Sequence, residues 1–435
     1  MLSLVWFRRD LRVDDHPALA RAAAEGPVLP VYVAEPDLWV APDASGRHWA
    51  FLEESLRSLR DDLARAGQPL ILRAGEAVEV LARLQAKHRF TRIVTHPETG
   101  NARARARFAR VADWARGRGL DWLEVAEDQG AVLPAPVLAP VAEGTGALPG
   151  LKALGLAEDP CRFRQPGGRA AALALVQGWL EARGEGYAPA QATALAAERS
   201  GSRLSPYLAF GSVSAREVRA AVAGSLRGRA LGVQLGKRAA ALAASPDEPE
   251  GLADTGPWAR GETGLPYVDA AMRALAAGGW LDGPSRGLLA SVGLHHLGLD
   301  PASVGLHLAR LSTDHDPAIL WREIARAADG RVPDPVALGR RLDPDGAFLR
   351  RWLPELQRVP AAHLHAPWLW PPARRLLAGR YPEPVVDPAN ATREARLMRA
   401  RLAPPRSRPG LDPLIEGPLR PARRRGDGMQ MALDL

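Results

Sequence analysis

Residues 312–324 read STDHDPAILWREI, with Asp314 and Asp316 on either side of His315 at the head of an apolar run of helical spacing. Carboxylates placed like this can cap the helix or hold the polar edge of a ligand. If buried, each needs a cation or a hydrogen-bond donor beside it, because burial otherwise raises its pKa until it is neutral. The capping alternative puts Thr313 or Asp314 at the start of the helix through PAILWREI. Other chemistries find less to work with. None of the 10 histidines lies in an HxxxH or HExxH arrangement, and the adjacent His295 and His296 face different ways on a helix, so no metal site is expected. No GxSxG nucleophile motif occurs, and no GxGxxG or Walker loop follows a strand-like run.

The 435 residues are 46% apolar, enough for more than one buried core. No apolar run approaches the roughly 20 residues that span a bilayer, and MLSLVWFRRD turns charged too soon for a secretory signal. A cytoplasmic protein with no membrane partner is expected, acting as a monomer. Cys161 is the single cysteine, which excludes an internal disulfide. The net charge of +8 comes mostly from arginine, with Lys87, Lys152 and Lys237 the only lysines, and it favours a polyanionic partner such as DNA.

The elements that must position these groups change along the chain. LSLVWF, VLPVYV, PLILR, RIVTH and DWLEV are short apolar runs separated by helical patterns, the signature of βαβ units and a parallel, Rossmann-like sheet over residues 1–130. In RVDDHPALARAAA, Asp15 is expected to cap the first helix and Pro17 to fall in its first turn. Residues 131–165 are rich in Pro, Gly and Ala and read as a connection. From 166 to 404 the apolar residues recur at helical spacing, and an all-α domain is expected. Residues 405–435 carry RPARRRGDG and read as a flexible basic tail.

VWFRRDLRVDDHPAL at 5–19 resembles the opening of the photolyase/cryptochrome family. GEGYAPA at 184–190, SRLSPYLAFGSVSAREV at 202–218, WARGETGLPYVDAAMRAL at 258–275, TDHD at 313–316 and DPDGAFLRRWLPEL at 343–356, followed by HAPW, match it in order and spacing. The resemblance implies an all-α FAD-binding domain behind the α/β domain, a second antenna chromophore on the latter, and light-driven splitting of pyrimidine dimers in damaged DNA.

It also implies site residues. Tyr187 and the turn Ser202, Arg203, Leu204, Ser205 correspond to the flavin phosphate site, where hydroxyls and N–H groups before a helix suit a pyrophosphate. Arg238 corresponds to an arginine on the diphosphate. Asp314 and Asp316, with Arg286 as partner of the first, correspond to the acids beside isoalloxazine and ribose. Gln234 and Lys237 fall where the family faces DNA. Trp258 corresponds to the outer member of its electron-transfer chain, and Trp321, or another tryptophan such as Trp280, is the substitute for the missing ones.

Several positions depart from the pattern. Gly201 replaces a threonine, Leu320 the polar residue beside flavin N5, and Ile324 and Pro301 the inner and middle tryptophans; Asp282, Gly283 and Pro284 replace a His-Asn-Arg segment. The expectation is therefore a photolyase-type repair lyase. The competing expectation is a cryptochrome-like or flavin-poor DNA-binding protein without repair activity. HPETGNARARAR at 96–107 lies where an antenna would contact the first domain.

Overall fold

A computed structural model describes residues 1–127, 130–187, 193–242 and 253–402. The strands β1 (Ser3–Phe7), β2 (Val28–Ala34), β3 (Ile71–Ala74), β4 (Arg92–Thr95) and β5 (Asp121–Glu124) form one sheet in the order β3-β2-β1-β4-β5. Every pairing is parallel, with Ser3 opposite Val28 on one side and Arg92 on the other. The helices α1 (Pro17–Glu25), α2 (Gly46–Ala66), α3 (Ala77–His88) and α4 (Ala102–Gly117) return the chain between strands. Because they cover both faces, Leu4 and Trp6 of β1 enter one core and Val5 and Phe7 the other, which is why the run is apolar throughout.

The turn into α1 corrects the expectation for Asp15. His16 is the cap, its Nδ1 accepting the Leu19 N–H at 3.0 Å, with Pro17 in the first turn as expected. Asp15 instead adopts a left-handed φ of 51° and is fully buried. Its carboxylate accepts the Leu133 N–H at 3.0 Å and faces Ser214 and the Arg216 guanidinium of the following domain. Burial would raise its pKa; Arg216 and Ser214 outweigh that and hold it below the usual value. A buried ion pair that a cap would forgo offsets the backbone conformation.

The connection after the sheet packs along the first domain. Leu138 N–H donates to the Ala66 carbonyl at 2.7 Å, and Leu72 N–H to that of Thr145 at 2.6 Å. Beyond it come α5 (Arg169–Glu181), α6 (Ser205–Ala209), α7 (Ala215–Val222), α8 (Leu226–Leu242), α9 (Pro266–Gly278), α10 (Gly283–Ser291), α11 (Pro301–Leu311) and α12 (Pro317–Asp329), with no strand among the described residues. Most of this half closes around its own core of α9, α10, α11 and α12. Its leading part joins the first domain: the Phe51 ring lies 5.2 Å from both Tyr207 and Phe210. Gly211, at φ +68°, permits this contact, since a Cβ there would fall 2.2 Å from the Arg9 carbonyl oxygen. No helix among the described residues is long and apolar enough to cross a membrane. Residues 243–252 and the expected 405–435 tail lie outside the described residues.

Candidate cofactor and nucleic-acid site

The turn 200–205 ends one helix and starts α6. Gly201 N–H closes the preceding helix on the Ala197 carbonyl at 3.0 Å, and Arg203 takes a left-handed φ of 57°. That conformation is held by Gln165, which donates to the Arg203 carbonyl at 2.9 Å and accepts from its Nε at 3.1 Å. The Arg203 guanidinium lies 4.1 Å from the Trp280 ring centroid, and Trp280 donates its indole N–H to the Ser205 hydroxyl at 3.1 Å. No carboxylate bonds Arg203 among the described residues, and burial lowers its pKa. A desolvated cation without a bonded anion is what an anionic ligand would neutralise.

This turn forms one wall of a cleft of about 450 Å³. Tyr187, Ser202, Arg203, Leu204 and Ser205 line it, as do Gln234 and Lys237 from α8, so the expected phosphate and DNA-facing residues come together. The Tyr187 phenol, raised in pKa by burial, stands edge-on to Trp179 at 5.4 Å. Asp282 caps α10 by accepting the Ser285 N–H at 3.0 Å, and it lines the cleft with Gly283, Pro284 and Trp280.

The acid pair sits beside this cleft without lining it. Asp314 bonds Arg286 at 3.2 Å, the partner expected for it, and Arg286 also reaches Glu323 at 3.3 Å. Burial would lower the Arg286 pKa; Glu323 and Asp314 more than compensate and raise it. Asp316 Oδ2 accepts from Arg238 at 2.9 Å, so this arginine spends a donor on an acid where a diphosphate partner was expected. Asp316 holds the cap position of α12 but makes no side-chain cap bond, which sets the Thr313 or Asp314 capping alternative aside. Its Oδ1 and the Thr313 hydroxyl are buried without a hydrogen-bond partner among the described residues. These open polar atoms, with the Arg203 cation, fit the polar perimeter of a bound dinucleotide; Leu320 and Ile324, buried in the helical core, offer it nothing polar.

The expected electron-transfer residues are elsewhere. Trp258 is fully buried, donates to the Leu289 carbonyl at 3.1 Å and packs against His307. Trp321 lies on Gly305, where a Cβ would fall 2.2 Å from its ring. Neither lines the cleft; Trp280 does. Its signal in the sequence is the preceding Gly279, whose φ of +67° ends α9 and turns the indole inward.

A second, smaller cavity of about 150 Å³ lies between the domains. The 96–107 segment does reach it, through Glu98, Gly100, Asn101, Ala104 and Arg107. Glu98 is bound by Arg8 at 2.6 Å and by Arg107 at 2.9 Å; burial would raise its pKa, but these cations bring it down to about 2. From the helical domain the cavity receives Phe210 and His315, which sequence reading did not connect to it.

Asp10, His16 and His96 also cluster with metal-ligating atoms within 4.8 Å of one another. Asp10 Oδ2 accepts from His16 Nε2 at 3.1 Å and from His96 Nδ1 at 2.7 Å, while the opposite ring nitrogens accept backbone N–H groups of Leu19 and Ala18. Burial, reinforced by His96, brings the His16 pKa down to about 4. Every ring nitrogen is thus occupied, and the cluster is a closed network of neutral imidazoles around one carboxylate.

Comparison with known proteins bears on the family and the fold. Residues 3–136 match the family model described as DNA photolyase, and residues 229–400 that described as the FAD binding domain of DNA photolyase. The deoxyribodipyrimidine photo-lyase of Streptomyces griseus is 32% identical over 92% of this chain and 99% of its own. Cryptochrome DASH of Natronomonas pharaonis is 29% identical over 88% and 98%. In fold, the Synechocystis cryptochrome superposes with a TM-score of 0.80 at 22% identity, covering 91% of this chain and 99% of that one. A photolyase from Sulfolobus tokodaii, described with two FAD molecules, does so at 0.77 and 23%, covering 93% and 100%. With both family models matched in order along the chain, the chain belongs to the DNA photolyase/cryptochrome family and carries its FAD-binding domain.

Proposed function

We propose that the chain is a light-driven, flavin-dependent lyase that repairs pyrimidine dimers in DNA. The observation that carries the reading is the half-buried Arg203 guanidinium, with no bonded acid among the described residues, on the wall of a cleft that also presents Ser202, Ser205 and Lys237. The name of the Streptomyces griseus relative supports the same substrate. Bound FAD supplies light absorption and the electron chemistry. The chain's own residues bind and orient. Tyr187, Ser202, Leu204, Ser205 and the Arg203 cation hold the diphosphate side, while Arg238 holds Asp316. Arg286 fixes Asp314, and Asp316 offers its open Oδ1 to a ligand hydroxyl or N–H. Gln234 and Lys237 meet the DNA at the rim of the cleft, where a flipped-out lesion enters.

In this reading residues 1–130 form an antenna domain whose interdomain cavity takes a second chromophore, residues 131–165 connect, residues 166–404 hold the flavin, and the basic 405–435 segment adds phosphate contacts. A second reading, a flavin and DNA binder without repair, is favoured by the apolar burial of Leu320 and Ile324. The test starts from the visible spectrum of protein reconstituted with FAD. Ultraviolet-irradiated oligo(dT) is then illuminated with the reduced holoprotein and the remaining dimers are counted. Loss of dimers in light and not in the dark supports repair; damage-selective binding with dimers intact supports the second reading; no flavin uptake overturns both.

A further inference from the structure

Arg9, just past β1, reaches out of the first domain to two segments of the second. Its Nε donates to the Ala209 carbonyl at 2.8 Å, and its Nη2 donates to the His315 carbonyl at 2.6 Å. Ala209 ends α6, the helix that begins at the phosphate turn, and His315 is the residue between the two acids. One guanidinium therefore ties the back of the anion-seeking turn to the back of the acid pair. It lies over the Phe210 ring at 5.3 Å, which fixes its plane.

The side chain of His315 makes a second tie. Asp314 and Asp316 are bonded to Arg286 and Arg238 within the helical domain, whereas the intervening His315 enters the interdomain cavity. There its Nε2 lies 3.2 Å from Asp43 Oδ2, and its ring stacks on His48 at 5.7 Å. Asp43 is held in turn by Asn101 at 3.0 Å. On the opposite side Thr313 N–H donates to the Gly279 carbonyl at 2.8 Å, and a Cβ on Gly279 would fall 2.1 Å from the Thr313 hydroxyl. The acid segment is thus gripped between α9 and the first domain, with its carbonyl and its central side chain both fixed from across the interface.

We propose that Arg9 and the Asp43–His315 pair form an interdomain latch that positions the Asp314/Asp316 pair, so that first-domain residues set how tightly and in which orientation the flavin is held without touching it. The inference rests on the assignment of these acids to the cofactor. The physical basis is that neighbouring peptide planes do not turn independently: releasing the His315 carbonyl or ring lets both flanking carboxylates relax, and a site relaxed by a fraction of an ångström loses its directional contacts.

The test uses the full chain and its Arg9→Met, Arg9→Lys and Asp43→Asn variants, with Asp15→Asn as control. Asp15 also crosses the domain interface, to Ser214 and Arg216, but does not contact the acid segment. The readouts are the FAD dissociation constant by fluorescence quenching, the circular dichroism of the bound flavin in the visible, and the thermal midpoint. Expected are an increase in dissociation constant of about tenfold for Arg9→Met and Asp43→Asn, the scale of one lost hydrogen bond, with an altered visible band. Arg9→Lys recovers part of both, and Asp15→Asn lowers the midpoint alone. Asp43→Asn, nearly isosteric, keeps the test available if Arg9→Met does not fold. If wild type binds FAD and the latch variants match Asp15→Asn in affinity and spectrum, the latch is overturned and the cofactor assignment stands; if wild type binds no FAD, the cofactor assignment fails and the latch with it.

Discussion

Trp280 donates its indole N–H to Ser205 at 3.1 Å while the Arg203 guanidinium covers its ring at 4.1 Å, which places it against the 202–205 turn and on the cleft wall. Under blue light with a thiol reductant, Trp280→Phe should slow the bleaching of oxidised flavin, whereas Trp321→Phe should behave as wild type. Bleaching abolished by Trp321→Phe alone would place the donor in the helical core. The loss of one hydrogen bond to Ser205 should weaken FAD binding by about tenfold or less.

Asp314 is almost wholly buried against Arg286, and Asp314→Ala leaves that guanidinium with Glu323 as its remaining acid. Breaking a buried pair typically costs about 3–5 kcal/mol, and the surviving partner should reduce this to about 2–3 kcal/mol. Urea denaturation of the flavin-free variant reads it. A change below about 0.5 kcal/mol would show the pair to be solvated.

Glu98 contributes to the acid limb of the stability profile. Its pKa falls from 4.5 to about 2 on folding, so its stabilisation is fully present above pH 4.5 and is lost as pH drops through about 2. Glu98→Gln should lower stability at pH 7 by about 3 kcal/mol and flatten the profile across that window. Denaturation midpoints from pH 2 to pH 7 check both. A variant profile parallel to wild type would show that Arg8 and Arg107 are solvated once the acid is neutral.

Lys237 lies on the cleft wall, and in the proposed function it meets a DNA phosphate. Binding to duplex DNA should weaken with salt, and Lys237→Ala should reduce the slope of log affinity against log salt by about 1, across sequences alike. Fluorescence anisotropy at several salt concentrations measures it. An unchanged slope would remove Lys237 from the interface.

The inner strands β1 and β2 were legible because each is a short apolar run buried on both faces, where parallel strands need no alternation; β5, half-exposed at the edge, showed only as a short run around Trp122 and Leu123. The helical half was legible for a similar reason: Leu288, Leu289 and Val292, or Leu320, Trp321 and Ile324, recur at helical spacing and are buried. The partner of Asp314 was also foreseen. What escaped was long-range and polar. Nothing local marks Arg9 as the residue that meets position 315, or Asp43 as the acid beside its ring. Asp15 looked like a cap because its two neighbours, a histidine and a proline, make a good helix start; only the folded chain shows Arg216 waiting for it. Trp258 matched in sequence yet is sealed in the core, since a motif fixes neither depth nor distance.

Asp15 carries an implication for synthesis. Its guanidinium partner lies 201 residues downstream. When β1 and α1 leave the ribosome, the carboxylate at the mouth of the first helix faces water, and the left-handed backbone it needs has no compensation. Domains generally begin to fold from the N-terminus as they emerge. Here the entry to the first helix gains its ion pair only once α7 has been made, so the following domain completes the first, and a nascent chain halted before Arg216 lacks that partner for its opening turn.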